Sequence, residues 1–133
     1  MKNFHQIPSV ILAGDFNSKP ESGVITFLKN GFLGKKHTDF QDQIWPGLLG
    51  NQIFNYAKFF QLKNCHEAVD KEIALKLSTK TQTFEALIDH LFYDENFFDL
   101  IGYLSDFDKS FKIYPNGEIP SDHIPVLVKL RFK

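Results

Sequence analysis

The sequence of 133 residues predicts a domain of the α/β or α+β class. An apolar run near the amino terminus leads through a polar turn into a helical pattern, and the last third of the chain is rich in strand patterns. Apolar residues make up 43% and charged residues 23% of the chain, which excludes general disorder. Because this length fits one domain, we expect residues 1–133 to form a single unit.

The strand nearest the amino terminus is predicted from Val10 to Ala13, an apolar run between Pro8 and Gly14. Such a short, continuous run is typical of a buried strand. The polar segment from Gly14 to Ser18 ends the run, since glycine and small polar residues favour turns.

The helix that follows is predicted from its capping residues and its apolar spacing. Ser18 precedes Glu21 by three residues, and Pro20 lies between them. This is a capping box with proline in the first turn, so we expect the helix to begin there and to end at Gly31. Helical spacing places three apolar residues on one face: Val24, Phe27 and Leu28.

The middle of the chain carries weaker signals than its two ends. Glu67 to Leu77 predicts a short helix, and turn-forming residues predict loops over 45–47 and 50–51. In the last third, strands are predicted at Leu87–Tyr93 and Phe98–Leu104. A further strand is predicted from Ile124 to Phe132, where apolar and basic residues alternate as in a half-buried strand.

Charge and cysteine content exclude several classes of protein. The formal net charge is −1, so any contact with nucleic acid must come from a local site and not from a broad basic field. The apolar runs are too short to cross a bilayer, and residues 1–8 lack the apolar core of a signal peptide. We therefore expect no membrane association and an intracellular, cytoplasmic location. Cys65 is the only cysteine and is expected to be a buried, inert thiol.

Polar residues interrupt the apolar strands in three clusters, at residues 14–18, 88–90 and 120–123. The charge of Asp89 would be costly inside an apolar strand without a partner. An Asp–His pair sets the tautomer of an imidazole, an Asn amide binds a phosphoryl oxygen, and carboxylates hold Mg²⁺. Around one phosphate, these groups form a site for phosphodiester hydrolysis.

Each cluster also has a structural explanation when it is taken alone. Asp15 to Ser18 could form an Asx turn before a helix, Asp89 could point to solvent from an edge strand, and residues 121–123 could be an ordinary loop. The presence of all three clusters in one chain favours the functional interpretation. The other histidines are expected to be structural, with the first two at the surface: His5, His37, His66 and His90.

The three clusters resemble signatures of the endonuclease/exonuclease/phosphatase superfamily, which are G-D-(F/L)-N, (I/L/V)-D-(Y/H) and S-D-H in that order. The similarity is greatest to deadenylases of the carbon-catabolite-repressor-4 and nocturnin type. Residues 14–24 reproduce their motif Gly-Asp-Phe-Asn-Ser-x-Pro-x-Ser-Gly-Val, and residues 83–84, 88–93 and 119–123 resemble their later motifs. His90 stands where the family usually has Tyr.

The resemblance implies a fold and a role for each motif residue. The fold is half of a four-layer, two-sheet sandwich of the DNase I-like type, with residues 1–133 as the carboxyl-terminal half of the domain. Asp15 is implied in metal binding and in activating water, and Asn17 in contacting the scissile phosphate. Asp89 is implied as the partner of the catalytic His123, which acts as base or as phosphate stabiliser. Asp122 is implied at the metal site.

The resemblance also implies a Mg²⁺-dependent 3′-to-5′ exoribonuclease that removes poly(A) from RNA and releases 5′-AMP. Phe84 lies near the position that stacks on adenine in this branch, although its spacing from Asp89 favours packing in the core. The alternatives are a 2′,5′-phosphodiesterase or another nucleotide phosphatase or nuclease of the superfamily, and a truncated, non-catalytic binding module.

One family motif has no counterpart in these residues. The family's principal Mg²⁺ ligand is the Glu of a Gln-Glu motif, and no Gln-Glu pair occurs in the sequence. We therefore expect this chain alone to be inactive or nearly so. Half of a sandwich would also expose an apolar sheet face, so we expect that face to bind a second copy or the missing amino-terminal half.

Overall fold

A computed structural model describes residues 8–34, 36–41, 54–55, 61–104 and 114–133. His5 and the loops predicted over residues 45–51 lie outside these ranges. The two helices are α1 (Gly23–Asn30) and α2 (Thr38–Gln41). The strands are β1 (Ile11–Asp15), β2 (Phe32–Leu33), β3 (Phe54–Asn55), β4 (Leu62–Asn64), β5 (Thr79–Lys80), β6 (Glu85–Ala86), β7 (Asp89–Asp94), β8 (Phe98–Tyr103) and β9 (Val128–Phe132).

All strand pairs in the described residues are antiparallel. The largest sheet has the order β1-β7-β4, and the pairs β2-β3, β5-β6 and β8-β9 form separate ladders. In the first sheet Ile11 lies opposite Tyr93 and Asp15 lies opposite Asp89. This register brings the carboxylates of two predicted motifs to neighbouring positions at one end of the sheet.

The first predicted strand forms, but the prediction that it is buried is wrong. All five residues of β1 are exposed, with half of the Ile11 surface accessible to solvent. β1 is the edge strand of its sheet, and no other described strand pairs with its outer edge. The apolar run therefore indicates a surface that the described part of the chain leaves open.

Helix α1 begins later than the capping pattern predicts. Its N-cap is Ser22, whose extended backbone has φ −67° and ψ 159°, and the Ser22 side chain makes no capping hydrogen bond. The predicted start at Ser18 is wrong because residues 20–22 form a turn, in which the Ser22 N–H donates to the Lys19 carbonyl at 2.9 Å. The capping box with Glu21 does not form.

The predicted end of α1 at Gly31 is confirmed. Gly31 has φ 76°, in the left-handed region, and its N–H donates to the Phe27 carbonyl at 2.8 Å. The helix packs against β2 and β4, and Ile25 is its fully buried side chain. The predicted apolar face is therefore partly wrong, since Val24 is about half exposed.

The helix predicted from Glu67 to Leu77 does not form. A 3₁₀ turn over Cys65–Glu67 is followed by turns and bends. Asp70 starts only a single turn, in which the N–H groups of Ile73 and Ala74 both donate to its carbonyl. Ile73 is 44% exposed, so packing against the core does not stabilise this segment as a longer helix.

The strands predicted at Leu87–Tyr93 and Phe98–Leu104 form as β7 and β8. The last strand is shorter than expected. β9 begins at Val128 and not at Ile124. Residues before it form a loop that returns to β5, where the Ile124 N–H donates to the Ser78 carbonyl at 2.6 Å. Long-range bonds to β5 thus replace the first half of the predicted strand.

The core of the described residues is small and lies around β7. Its buried apolar residues are Ile25, Cys65, Ala86, Ile88, Phe92, Tyr93, Tyr114 and Ile124. Cys65 is buried as predicted, and burial raises the pKa of its thiol to about 11, so it stays protonated near neutrality. In the ranges that the structure describes, no helix has the length and apolar character to cross a bilayer.

Candidate active site

A hydrogen bond joins the side chains of Asp89 and His123. Asp89 begins β7, and His123 lies in the loop before β9, held against Thr79 by a single antiparallel bridge. The Asp89 Oδ2 atom lies 2.8 Å from the Nδ1 atom of His123. The carboxylate therefore holds the imidazole by one nitrogen and leaves Nε2 for other partners.

The third member of the cluster is Asp15, the last residue of β1. Its Oδ2 atom lies 3.9 Å from the His123 Nε2 atom. Ligand atoms of Asp15, Asp89 and His123 all lie within 4.8 Å of one another. The two carboxylates, at a partly exposed position, fit a divalent cation such as Mg²⁺, which prefers oxygen ligands and keeps several waters.

The turn after β1 places Asn17 beside this cluster. The Asn17 N–H donates to Asp15 Oδ1 at 2.7 Å, which closes an Asx turn. Asn17 has φ 47°, a left-handed conformation that Asn tolerates better than most residues. The Phe16 N–H donates to the Ile88 carbonyl at 2.9 Å, so the turn is tied to the chain just before Asp89. The predicted Asx turn therefore forms, and it also contains the predicted site residue Asn17.

Ser78 is a site residue that the sequence patterns did not reveal. Its hydroxyl donates to Asp89 Oδ2 at 2.6 Å and accepts the N–H groups of Ile88 and Asp89 at 3.0 and 2.9 Å. It is fully buried and fixes both the backbone and the carboxylate of Asp89. A serine before a two-residue strand carries no motif signal; only the fold, which brings β5 to β7, identifies it.

Asp122 is half-buried beside His123 and lies outside the three-residue cluster. Its carbonyl accepts the Thr79 hydroxyl at 2.9 Å and the Lys80 N–H at 3.2 Å. The pKa of the His123 imidazole is raised, chiefly by its hydrogen bond to Asp89. Burial opposes this rise, and the negative charges of Asp89, Asp122 and Asp15 add to it. The role of Asp122 as a metal ligand stays a prediction.

Phe84 is exposed, so the expectation that it packs in the core is wrong. About half of its surface is accessible, and it closes a tight turn in which its N–H donates to the Thr81 hydroxyl at 3.0 Å. The turn leads directly into β6 and holds the ring outward because local hydrogen bonds fix the backbone. An exposed aromatic ring five residues before Asp89 is available for stacking.

Of the four histidines that we expected to be structural, three lie in the described residues. His66 and His90 are buried, and burial lowers the pKa of both imidazoles. His37 is not a surface residue as predicted, since only 17% of its side chain is exposed and Nδ1 accepts the Asp39 N–H at 3.2 Å.

An open cavity of about 460 Å³ adjoins the Asp–His pair. This volume is in the range of small-molecule binding sites. The residues that line it come from β1, β7 and the loop before β9: Ala13, Gly14, Asp89, His90, Leu91, Ser121, His123, Ile124, Pro125 and Val126.

Sequence comparison identifies relatives along nearly the whole chain. It is 32% identical over 133 residues to the Ccr4 3′-5′-exoribonuclease subunit of the CCR4-Not complex of Mycosarcoma maydis, covering 97% of this chain and 19% of that protein. The corresponding subunit of Schizosaccharomyces pombe is 32% identical over 128 residues, covering 93% and 18%. A CCR4-NOT transcription complex subunit 6-like protein of Danio rerio is 28% identical over 138 residues, covering 92% and 24%.

The chain thus spans about a fifth of the length of the curated relatives it matches. No protein-family model matches it. Its fold is similar to the crystal structure of ANGEL2, a 2′,3′-cyclic phosphatase, in complex with adenosine-2′,3′-vanadate. That likeness has a TM-score of 0.71 at 20% identity and covers 93% of this chain and 45% of ANGEL2. The predicted partial α/β, DNase I-like fold is confirmed.

Proposed function

Since this chain is a relative of the Ccr4-type members of the endonuclease/exonuclease/phosphatase superfamily, we propose that its polar cluster serves metal-dependent hydrolysis of phosphodiesters. The observation that carries the proposal is the 2.8 Å bond between Asp89 and His123, with Asp15 on the other side of the imidazole. Three motifs from distant parts of the sequence meet at this one site. Such convergence favours chemistry over separate structural roles.

The proposed roles follow from the direction of each side chain. Asp89 holds the Nδ1 proton of His123, so Nε2 is the atom that gives a proton to, or takes one from, a phosphate oxygen or a water molecule. Asp15 and Asp89 present carboxylates for Mg²⁺, with Asp122 as a further predicted ligand. When bound, the metal would supply Lewis-acid polarisation of the phosphoryl oxygen and a more acidic water. The exposed Asn17 amide would donate to a phosphoryl oxygen.

The proposed substrate is the 3′ end of RNA, with poly(A) preferred and 5′-AMP released. The sequence relatives in fungi are named 3′-5′-exoribonuclease subunits, which supports RNA over a nucleotide phosphate as substrate. The exposed ring of Phe84 supports a stacked base near the site. The same relatives are named as subunits of the CCR4-Not complex, so we propose an intracellular, cytoplasmic role beside other proteins.

Hydrolysis should depend on more than the 133 residues. No Gln-Glu motif is present, so the proposed cation would lack the ligand that the family supplies from it. The exposed strand β1 supports a complementary surface, either a second copy of the chain or the other half of such a domain. The isolated chain should therefore hydrolyse RNA very slowly or not at all.

The test is a substrate panel with the complete product of the reading frame and with this chain alone. Oligo(A), oligo(U), a 2′,5′-linked oligoadenylate and adenosine 2′,3′-cyclic phosphate are each incubated with Mg²⁺ or with chelator, and His123→Gln is the matched variant. Release of 5′-AMP from oligo(A) that requires Mg²⁺ and His123 supports the proposal.

Two results of this panel would replace the proposal. Preferential cleavage of the 2′,5′-linked or cyclic substrate would assign the chain to another activity of the superfamily. No Mg²⁺-dependent cleavage by the complete product, together with stable binding of RNA or of a protein, would favour a non-catalytic module.

A further inference from the structure

Two buried histidines lie beneath the proposed site and touch the backbone on both sides of it. His66 and His90 are 7% and 1% exposed, and their ring centroids lie 5.6 Å apart with an angle of 72° between the rings. Each ring nitrogen of both residues has a partner within 3.1 Å. We propose that His66 and His90 are positioning residues that fix the two backbone segments carrying Asp89 and Asp15.

The partners of His90 determine which nitrogen carries its proton. The Asn64 Oδ1 atom accepts the His66 N–H at 3.0 Å, so the Asn64 amide nitrogen faces His90 Nδ1 at 3.1 Å. That nitrogen only donates, so Nδ1 is the acceptor and Nε2 carries the proton. His90 Nε2 lies 2.9 Å from the Ser18 carbonyl, which only accepts, so the assignment is consistent at both ends.

The same reasoning applies to His66. Its Nε2 atom lies 3.0 Å from the Asp89 carbonyl, which only accepts, so Nε2 carries the proton. The Tyr103 hydroxyl accepts the Leu75 N–H at 3.0 Å and donates to His66 Nδ1 at 2.6 Å. Burial lowers the pKa of both imidazoles and so favours their neutral form, in which the partners place the proton on Nε2.

The two rings act on opposite sides of the site. His66 Nε2 holds the carbonyl of Asp89. His90 Nε2 holds the carbonyl of Ser18, at the end of the turn that contains Asp15 and Asn17. Phe16, between those two residues, packs edge-on against the His90 ring at 5.9 Å. Asn64 bonds to both histidines, so the two supports form one connected network.

This arrangement gives a function to residues that the motif analysis treated as structural. Groups that orient the residues of a metal site commonly change affinity or activity by tenfold or more when they are removed. This positioning role rests on the proposed function, because that function makes the turn part of a site. The geometry of the turn can be measured without activity or metal.

The first experiment is NMR on ¹⁵N-labelled chain at pH 7.5, where ring nitrogen shifts distinguish the tautomers. We expect both His66 and His90 to be neutral with the proton on Nε2. A protonated ring, or a proton on Nδ1 of either residue, would overturn the inference.

The second experiment compares His90→Phe, which keeps a ring but loses both hydrogen bonds, with His90→Gln, which keeps a donor. We expect His90→Phe to change the chemical shifts of the Asn17 amide proton and the His123 Nδ1 proton. In His90→Gln, both chemical shifts should lie closer to the wild-type values. His37→Phe is the control, because it removes a half-buried histidine that bonds to Asp39 and lies outside the network. Melting temperatures show that each variant is folded at the temperature of measurement.

A third readout links the network to the cation. We expect His90→Phe to weaken Mn²⁺ binding by about tenfold, and His37→Phe to leave it unchanged. If the wild-type chain binds no Mn²⁺, the residues present do not hold the cation without a further ligand, and the proton shifts still decide the inference. Unchanged Asn17 and His123 signals in folded His90→Phe would overturn it.

Discussion

Asp89 Oδ2 and His123 Nδ1 lie 2.8 Å apart, although 34 residues separate them in the chain. The same oxygen accepts the Ser78 hydroxyl at 2.6 Å. Among the described residues, Ser78 and His123 therefore both bond to Oδ2 of this carboxylate. Ser78 fixes the carboxylate, and the carboxylate fixes the orientation of the imidazole. This convergence makes the site testable by substitution.

The first prediction concerns the ionisation of His123. In Asp89→Asn, the carboxylate that raises the pKa of His123 is lost, so this pKa should fall toward the ordinary value of about 6.5. An NMR titration of the ring protons measures it. Asp99→Asn is the matched control, since Asp99 pairs with Arg131 on β8–β9 and should leave the His123 titration unchanged. An unaltered pKa in Asp89→Asn would contradict the account.

The second prediction concerns stability in acid. Burial lowers the pKa of His66 and His90 in the folded chain, so the unfolded chain binds protons first as the pH falls below about 6.5. Stability should therefore decrease from that pH downward, until the lowered folded values are passed. His123 has the opposite effect, because its pKa is raised in the folded chain. It contributes stability below about pH 6.5, and this contribution is lost as the pH rises.

Melting temperatures between pH 7.5 and 5 measure this effect. The double variant His66→Gln/His90→Gln should be less stable than the wild type at pH 7.5 but should lose less on acidification. If the wild type and the double variant show the same slope below pH 6.5, the two buried rings do not determine the acid response.

The third prediction concerns Ser78. Ser78→Ala leaves Asp89 without one donor and two buried N–H groups without their acceptor. We expect a loss of about 1–3 kcal/mol in the free energy of unfolding, measured by urea denaturation. Thr81→Ala removes a hydroxyl that also accepts two N–H groups, but in an exposed turn. It should cost no more than about 0.5 kcal/mol, and equal costs would argue against a special role for Ser78.

The fourth prediction concerns the end of α1. Gly31 adopts φ 76°, so Gly31→Ala should destabilise the fold by about 1 kcal/mol because a Cβ atom strains this conformation. Gly34→Ala is the control, since a Cβ atom there would meet no atom within 4 Å. Thermal unfolding of both variants is the measurement. A loss of stability in Gly34→Ala but not in Gly31→Ala would contradict this expectation.

The sequence predicted the features that depend on local chemistry. The strand–turn–helix order, the end of α1 at Gly31 and strands β7 and β8 follow from short patterns. The meeting of Asp15, Asp89 and His123 followed from motif order, and their separations confirm that they form one cluster. The turn at Asn17 could be predicted because Asp and Asn have specific backbone preferences.

Features that depend on distant contacts could not be predicted in the same way. Helix α1 starts later than predicted because residues 20–22 form a separate turn, and β9 is shorter than predicted because Ile124 bonds to Ser78. The exposure of β1 depends on which segments cover the sheet, and an apolar run does not contain that information. The network of His66 and His90 was missed because isolated histidines carry no pattern until the fold joins them.

The central claim is that the carboxylates of Asp15 and Asp89 hold a divalent cation beside His123 for phosphodiester chemistry. The most direct measurement is a Mn²⁺ titration followed by paramagnetic broadening of NMR signals, with Mg²⁺ as competitor. The account predicts that His123 and Asn17 broaden first, that Mg²⁺ reverses the effect, and that Asp15→Asn abolishes it. Broadening spread over the surface acids, or broadening at His123 that persists in Asp15→Asn, would contradict it.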